Sequence, residues 1–140
     1  MSKVCIRLIA VLIDDRCQVL VTDSEAITYG SLRWLAPELV AASSYVPTTR
    51  ATDVWSFGML SLEIVTDSVP FNHVSNEAFI PLAIRDGPLP TRSEYANTRE
   101  LSDAMWDLID QCWQRDPESR PSMSKIRETI QNIHPMGSCA

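Results

Sequence analysis

The stretch from Thr52 to Thr66 constrains this chain more than any other. Val54, Trp55, Phe57, Met59, Leu60, Leu62, Ile64 and Val65 leave it almost no polar face. A helix that is apolar all round belongs inside a core, with neighbours on every side. The spacing therefore predicts a helix over 52–66 as the spine of the domain. Thr52 is its expected N-cap, and Asp53 sits where the helix dipole favours an anion.

The flanking segments read as smaller elements around that spine. Val11-Leu12-Ile13, the polar turn Asp14-Asp15-Arg16 and Cys17 to Val21 predict a small β-hairpin. Residues 22–34 show no periodicity and read as loop, and Pro37 to Ala42 allow one helical turn with proline at its start. Pro70-Phe71 marks a turn. Residues 76–86 suggest a short helix closed by Gly87-Pro88, and Pro81 means that it is either kinked or begins near Ile80. Residues 87–100 look like surface loop. Ser102 then opens a helix with a stripe at Ala104, Met105, Leu108, Ile109 and Cys112, stopped by Asp116-Pro117. Ser122 opens a last one with Met123, Ile126, Ile130 and Ile133 on one side. The expected fold class is mainly α with one small N-terminal hairpin.

Length and charge narrow the functions available. A chain of 140 residues fits one domain, and its net charge of −6 argues against a nucleic-acid footprint. Lys3 and Lys125 are the only lysines, so no basic face can be drawn. Cys5, Cys17, Cys112 and Cys139 are scattered without a Cys-x-x-Cys or paired histidines, which reads as reduced and free of metal or disulfide. Val4 to Ile13 superficially resembles a signal peptide, but Arg7 interrupts it and Asp14-Asp15 end it. No segment has the apolar length to cross a bilayer. These features predict a cytoplasmic protein that engages neither membrane nor nucleic acid.

Three segments fall in one order: Trp34-Leu35-Ala36-Pro37-Glu38, Asp53-Val54-Trp55-Ser56-Phe57-Gly58, and Cys112-Trp113 through Asp116-Pro117 to Arg120-Pro121. Together they resemble the C-terminal lobe of a eukaryotic protein kinase, closest to the tyrosine-kinase-like group of serine/threonine kinases. Gly30-Ser31-Leu32-Arg33-Trp34 leans the same way, and the resemblance runs from about residue 11 to 133. It implies a partial kinase domain over 1–140: a divergent segment 1–10, a helical C-lobe 11–133 and a tail 134–140, with the N-lobe absent. It also implies a family that moves the γ-phosphate of ATP, with magnesium, to protein Ser, Thr or Tyr hydroxyls.

The residues that do that chemistry are expected to be missing or altered. Gly30, Gly58, Gly87 and Gly137 are too far apart to build a phosphate-covering loop, and no lysine lies on a suitable strand pattern. Aligned from the hairpin, Ala10 stands at the magnesium-binding Asn, Cys5 at the catalytic Asp and Lys3 at the His. Arg7 falls where the group commonly has a lysine. Ala10 cannot bind a metal, and Cys5 cannot orient or deprotonate a hydroxyl as a carboxylate does. Asp23, in Thr22-Asp23-Ser24-Glu25, is the one vestigial metal candidate, although it reads better as an exposed aspartate after a strand. Neither ATP nor magnesium is expected to bind this chain.

The remaining matches are scaffold. The resemblance implies a buried ion pair between Glu38 and Arg120, an Asp53 that holds the catalytic-loop backbone, and Trp55 and Trp113 filling the core around them. Thr28, Tyr29 and Ser31 are possible phosphorylation sites. Two function classes follow: a kinase domain inactive as this chain, or a non-catalytic, pseudokinase-like interaction module using the surface around residues 70–90. In either case a protein partner or self-association is expected through an exposed flank of the 52–66 helix.

Overall fold

The computed structural model describes residues 32–42, 46–95 and 101–133. Within them lie helices α1 (Pro37–Val40), α2 (Arg50–Thr66), α3 (Ile80–Asp86), α4 (Asp103–Cys112) and α5 (Met123–Ile133), joined by connections that include three short 3₁₀ turns, with a fourth before α1. No strand occurs among the described residues, and the fold is mainly α. The hairpin expected over residues 11–21 lies outside them, as do Lys3, Cys5, Ala10, Asp23, Thr28, Tyr29 and Ser31.

The central helix begins two residues earlier than its apolar pattern suggests. Thr49, not Thr52, is the N-cap: its Oγ1 accepts from the Thr52 N–H, while Thr52 Oγ1 accepts from the Thr49 N–H at 2.9 Å. The two hydroxyls thus satisfy each other's backbone donors, and Thr52 becomes the third residue of the helix. Because polar Arg50 and Ala51 precede the apolar run, periodicity could not reveal this first turn. The helix ends at Asp67, whose φ of 53° is left-handed.

Helix α2 is indeed the spine. Thr52, Val54, Trp55, Gly58, Met59, Leu60 and Leu62 are all buried on it, more than one face can hold. One side packs into a cluster with Trp34, Phe71, Ile80, Ile84, Ile109 and Trp113. Val54 joins a second cluster with Leu108, Cys112 and Ile126, which fastens α4 and α5. The α2–α4 approach is close: a Cβ placed on Gly58 would lie 2.8 Å from Cys112 Cβ. Only glycine lets the two backbones meet there.

The other helices follow local rules. Ser102 caps α4 by accepting from the Met105 N–H at 3.2 Å. Its buried stripe is Trp106, Leu108, Ile109 and Cys112, whereas Ala104 is exposed, so the apolar side lies nearer Trp106 than the sequence suggests. Helix α3 starts at Ile80 after a 3₁₀ turn at Glu77–Phe79, which puts Pro81 in its first turn where no N–H partner is lost. Leu32–Trp34 likewise forms a 3₁₀ turn within what reads as loop, because Trp34 is pulled into the core.

Candidate functional site

Glu38 enters from α1 and Arg120 from the segment before α5, 82 residues apart in sequence. Their contact is bidentate, Nη1 to Oε1 at 2.7 Å and Nη2 to Oε2 at 2.8 Å. Arg120 also donates through Nη1 to Ala51 O at 2.8 Å, through Nη2 to Arg115 O at 3.3 Å and through Nε to Gln114 O at 2.7 Å. All five guanidinium donors are therefore used. The Arg120 side chain is wholly buried and the Glu38 side chain 26% exposed. The guanidinium lies 5.2 Å from the ring centroid of Trp55, within cation–π range.

Trp55 and Trp113 are both fully buried. The Trp113 indole donates to Asp110 Oδ1 at 3.1 Å, while the buried Trp55 Nε1 has no hydrogen-bond partner. Asp53 stands in the first turn of α2, and partial burial pushes its carboxyl above the usual carboxylate range. None of these groups forms a nucleophile–base pair. Among the described residues no three His, Cys, Asp or Glu side chains converge, and the metal candidate Asp23 lies outside them. The assembly is a scaffold: it locks α1 and the start of α2 to the segment leading into α5.

A different surface carries exposed apolar side chains. An open groove of about 500 Å³ runs beside α3, lined by His73, Val74, Phe79, Leu82, Gly87 and Pro88 among others. Phe79 is 58% and Leu82 52% exposed. A smaller hollow of about 380 Å³ continues past His73 and Pro88 to Leu89, Pro90 and Tyr95.

Sequence reasoning missed the arginines that shape this region. Arg33 Nη1 donates to Pro70 O at 2.9 Å and Phe71 O at 2.7 Å. Arg115 donates to Arg85 O at 3.0 Å and Gly87 O at 2.5 Å, closing the C-terminal end of α3. Arg92 reaches Tyr95 O and Leu101 O. An arginine in the sequence carries no signal that its donors turn inward, whether it stands between apolar neighbours like Arg33 or in a polar stretch like Arg92 and Arg115.

The sequence model of the family described as protein tyrosine and serine/threonine kinase matches residues 12–130. The chain belongs to this kinase family. Among its relatives, Mitogen-activated protein kinase kinase kinase 7 of Homo sapiens is 34% identical over 105 residues, covering 74% of this chain and 16% of the relative. A serine/threonine-protein kinase/receptor of Acanthamoeba polyphaga mimivirus is 36% identical over 104 residues, 74% of this chain and 6% of its own. A Mitogen-activated protein kinase kinase kinase of Drosophila melanogaster is 28% identical over 104 residues, 74% of this chain and 8% of its own. The chain thus spans well under a fifth of the length of these curated relatives. Kinases of this family use ATP and magnesium, and the described part of this chain is mainly helical, like the C-lobe of a kinase domain. No helix among the described residues is long and apolar enough to cross a membrane.

Proposed function

We propose that this chain forms the helical, substrate-side lobe of a protein kinase domain and does not itself transfer phosphate. Phosphoryl transfer is positioning plus neutralisation of charge, and it fails without the groups that hold the metal and orient the hydroxyl. The observation that carries this reading is a contrast within the chain. The described scaffold engages every donor of Arg120, while an ungapped register from the expected hairpin puts Cys5 and Ala10 at the places of the catalytic Asp and the metal-binding Asn. A thiol and a methyl group supply neither function. The scattered cysteines and acidic charge fit a reduced, cytoplasmic setting.

The test is thermal melting with millimolar Mg-ATP, together with labelled-phosphate transfer to a generic protein substrate. A ligand present at a hundred times its dissociation constant adds about 2.7 kcal/mol of stability, so binding would be plain. No shift and no transfer are expected. A clear shift abolished by Asp23→Ala, or any transferred label, overturns the reading.

A second reading, a non-catalytic interaction module, is favoured by one observation. Ile64 is 65% exposed on a helix whose other large apolar side chains are buried or half-buried. We propose self-association or a protein partner on that flank of α2. Light scattering at rising concentration should show an oligomer that Ile64→Lys dissolves, and a monomer at every concentration would rule out self-association and leave only a separate protein partner.

A further inference from the structure

The connection between α2 and α3 contains a strained turn, and a side chain from far upstream reaches across to hold it. Phe71 has a φ of 56°, in the left-handed region where a bulky residue is an outlier. Its ring is buried, with 1% exposed, and its carbonyl accepts the Val74 N–H at 3.0 Å. Arg33 lays its guanidinium over the same turn: Nη1 contacts Pro70 O and Phe71 O, and Nη2 lies 3.4 Å from Val74 O. Among the described residues no other side chain hydrogen-bonds to this turn.

Arg33 is itself held in place. The next residue, Trp34, donates its indole N–H to Glu63 Oε2 at 2.9 Å, and its carbonyl accepts from Ser56 Oγ at 2.8 Å. Both partners are on α2. The 32–34 turn is therefore bolted to the central helix, and the arginine reaches from that fixed point to three carbonyls. His73 and Val74, at the far end of the clamped turn, form one wall of the groove beside α3.

We infer that Arg33 is a conformational latch. It keeps Phe71 in its left-handed conformation within the 70–74 turn, and its release lets the His73–Val74 wall of the groove move. Strain of this kind persists only where the surroundings over-determine it. The buried ring fixes one end of the turn, and the guanidinium fixes the direction its carbonyls take. Lysine could not replace it, because an ammonium is a compact point charge without the planar fork that bridges several acceptors. The latch concerns the turn itself and stands whether or not a partner occupies the groove.

Residue-resolved amide exchange on the full chain tests it, since the Val74 N–H reports the turn directly. In Arg33→Ala, Val74 exchange should accelerate at least about tenfold relative to Ile109 in the middle of α4, as expected when one local unit loosens alone. Arg33→Lys should show the same relative rise, smaller in size, and it carries the test if the alanine variant does not fold. A ratio of Val74 to Ile109 exchange that stays at its wild-type value overturns the latch, whether both rates rise together or neither moves.

Discussion

Removing Glu38 should destabilise the fold by about 3 kcal/mol. Deleting one partner of a buried ion pair costs roughly 3–5 kcal/mol, because the other charge stays desolvated. Arg120 is wholly buried, and Glu38→Ala would strip two of the five acceptors from its guanidinium. Glu38 is itself 26% exposed, so water can enter where its carboxylate was, which sets the expectation at the lower end of that range. Urea denaturation followed by tryptophan fluorescence is the assay, since Trp55 lies against the guanidinium. With an m-value of roughly 1.5–2 kcal/mol/M, the midpoint should fall by about 1.5–2 M. Glu128→Ala is the control: it removes an exposed pair with Lys125 and should cost about 0.5 kcal/mol or less. Arg120→Met should be worse than Glu38→Ala, because it also orphans the carbonyls of Ala51, Gln114 and Arg115. Equal midpoint shifts for Glu38→Ala and Glu128→Ala would refute the reasoning.

Gly58→Ala should cost about 1–2 kcal/mol by thermal melting, the overpacking against Cys112 outweighing the better helix propensity of alanine; Cys112→Ala should not rescue it, since the clash is with Cβ. Thr49→Ala should cost about 1 kcal/mol in urea by removing one half of the capping box of α2. Burial pushes the Cys112 thiol up to about 12, so mass spectrometry should find it unalkylated at pH 8 in the native chain and alkylated in urea. Burial also raises the Asp53 carboxyl, so the folded chain holds a proton that the unfolded chain has released, and stability falls as pH rises from about 4 through the raised value. Asp53→Asn should flatten that part of a pH–stability curve, and an unchanged slope would contradict it.

What could be read from the chain was what repeats or packs locally. The run from Val54 to Val65 announced a buried helix, and Ser102 announced the start of α4, because cap chemistry and periodicity act over a few residues. The family motifs paired Glu38 with Arg120 across 82 positions, and the structure puts their atoms 2.7 Å apart. Thr49 was missed because a capping box needs both hydroxyls in one geometry, and Thr52 alone satisfies the pattern. Ala104 and Trp106 changed places between the expected and the actual stripe of α4 because a ten-residue helix fixes its phase only loosely from sequence. The groove was legible only as a region around residues 70–90, since its walls come from a turn, a helix and a proline segment that share no period.

The arginines supply the link between those two levels. Helix ends and irregular turns leave carbonyls that no neighbouring backbone N–H can reach, and buried ones must find a donor somewhere. Here Arg33 serves the turn after α2, Arg115 the end of α3, Arg92 the approach to α4 and Arg120 the start of α2 together with Gln114 and Arg115. Arg33, Arg115 and Arg120 each reach a carbonyl 28 or more residues away, which no local pattern predicts, whereas Arg92 bonds carbonyls three and nine residues on. A guanidinium suits the task because its five donors lie in one plane and stay charged at any ordinary pH. The apolar clusters fix how the helices pack, and the guanidinium contacts fix how the chain travels between them. The groove beside α3 is bounded by two of the connections so held, and neither Arg33 nor Arg115 is among the residues that line it.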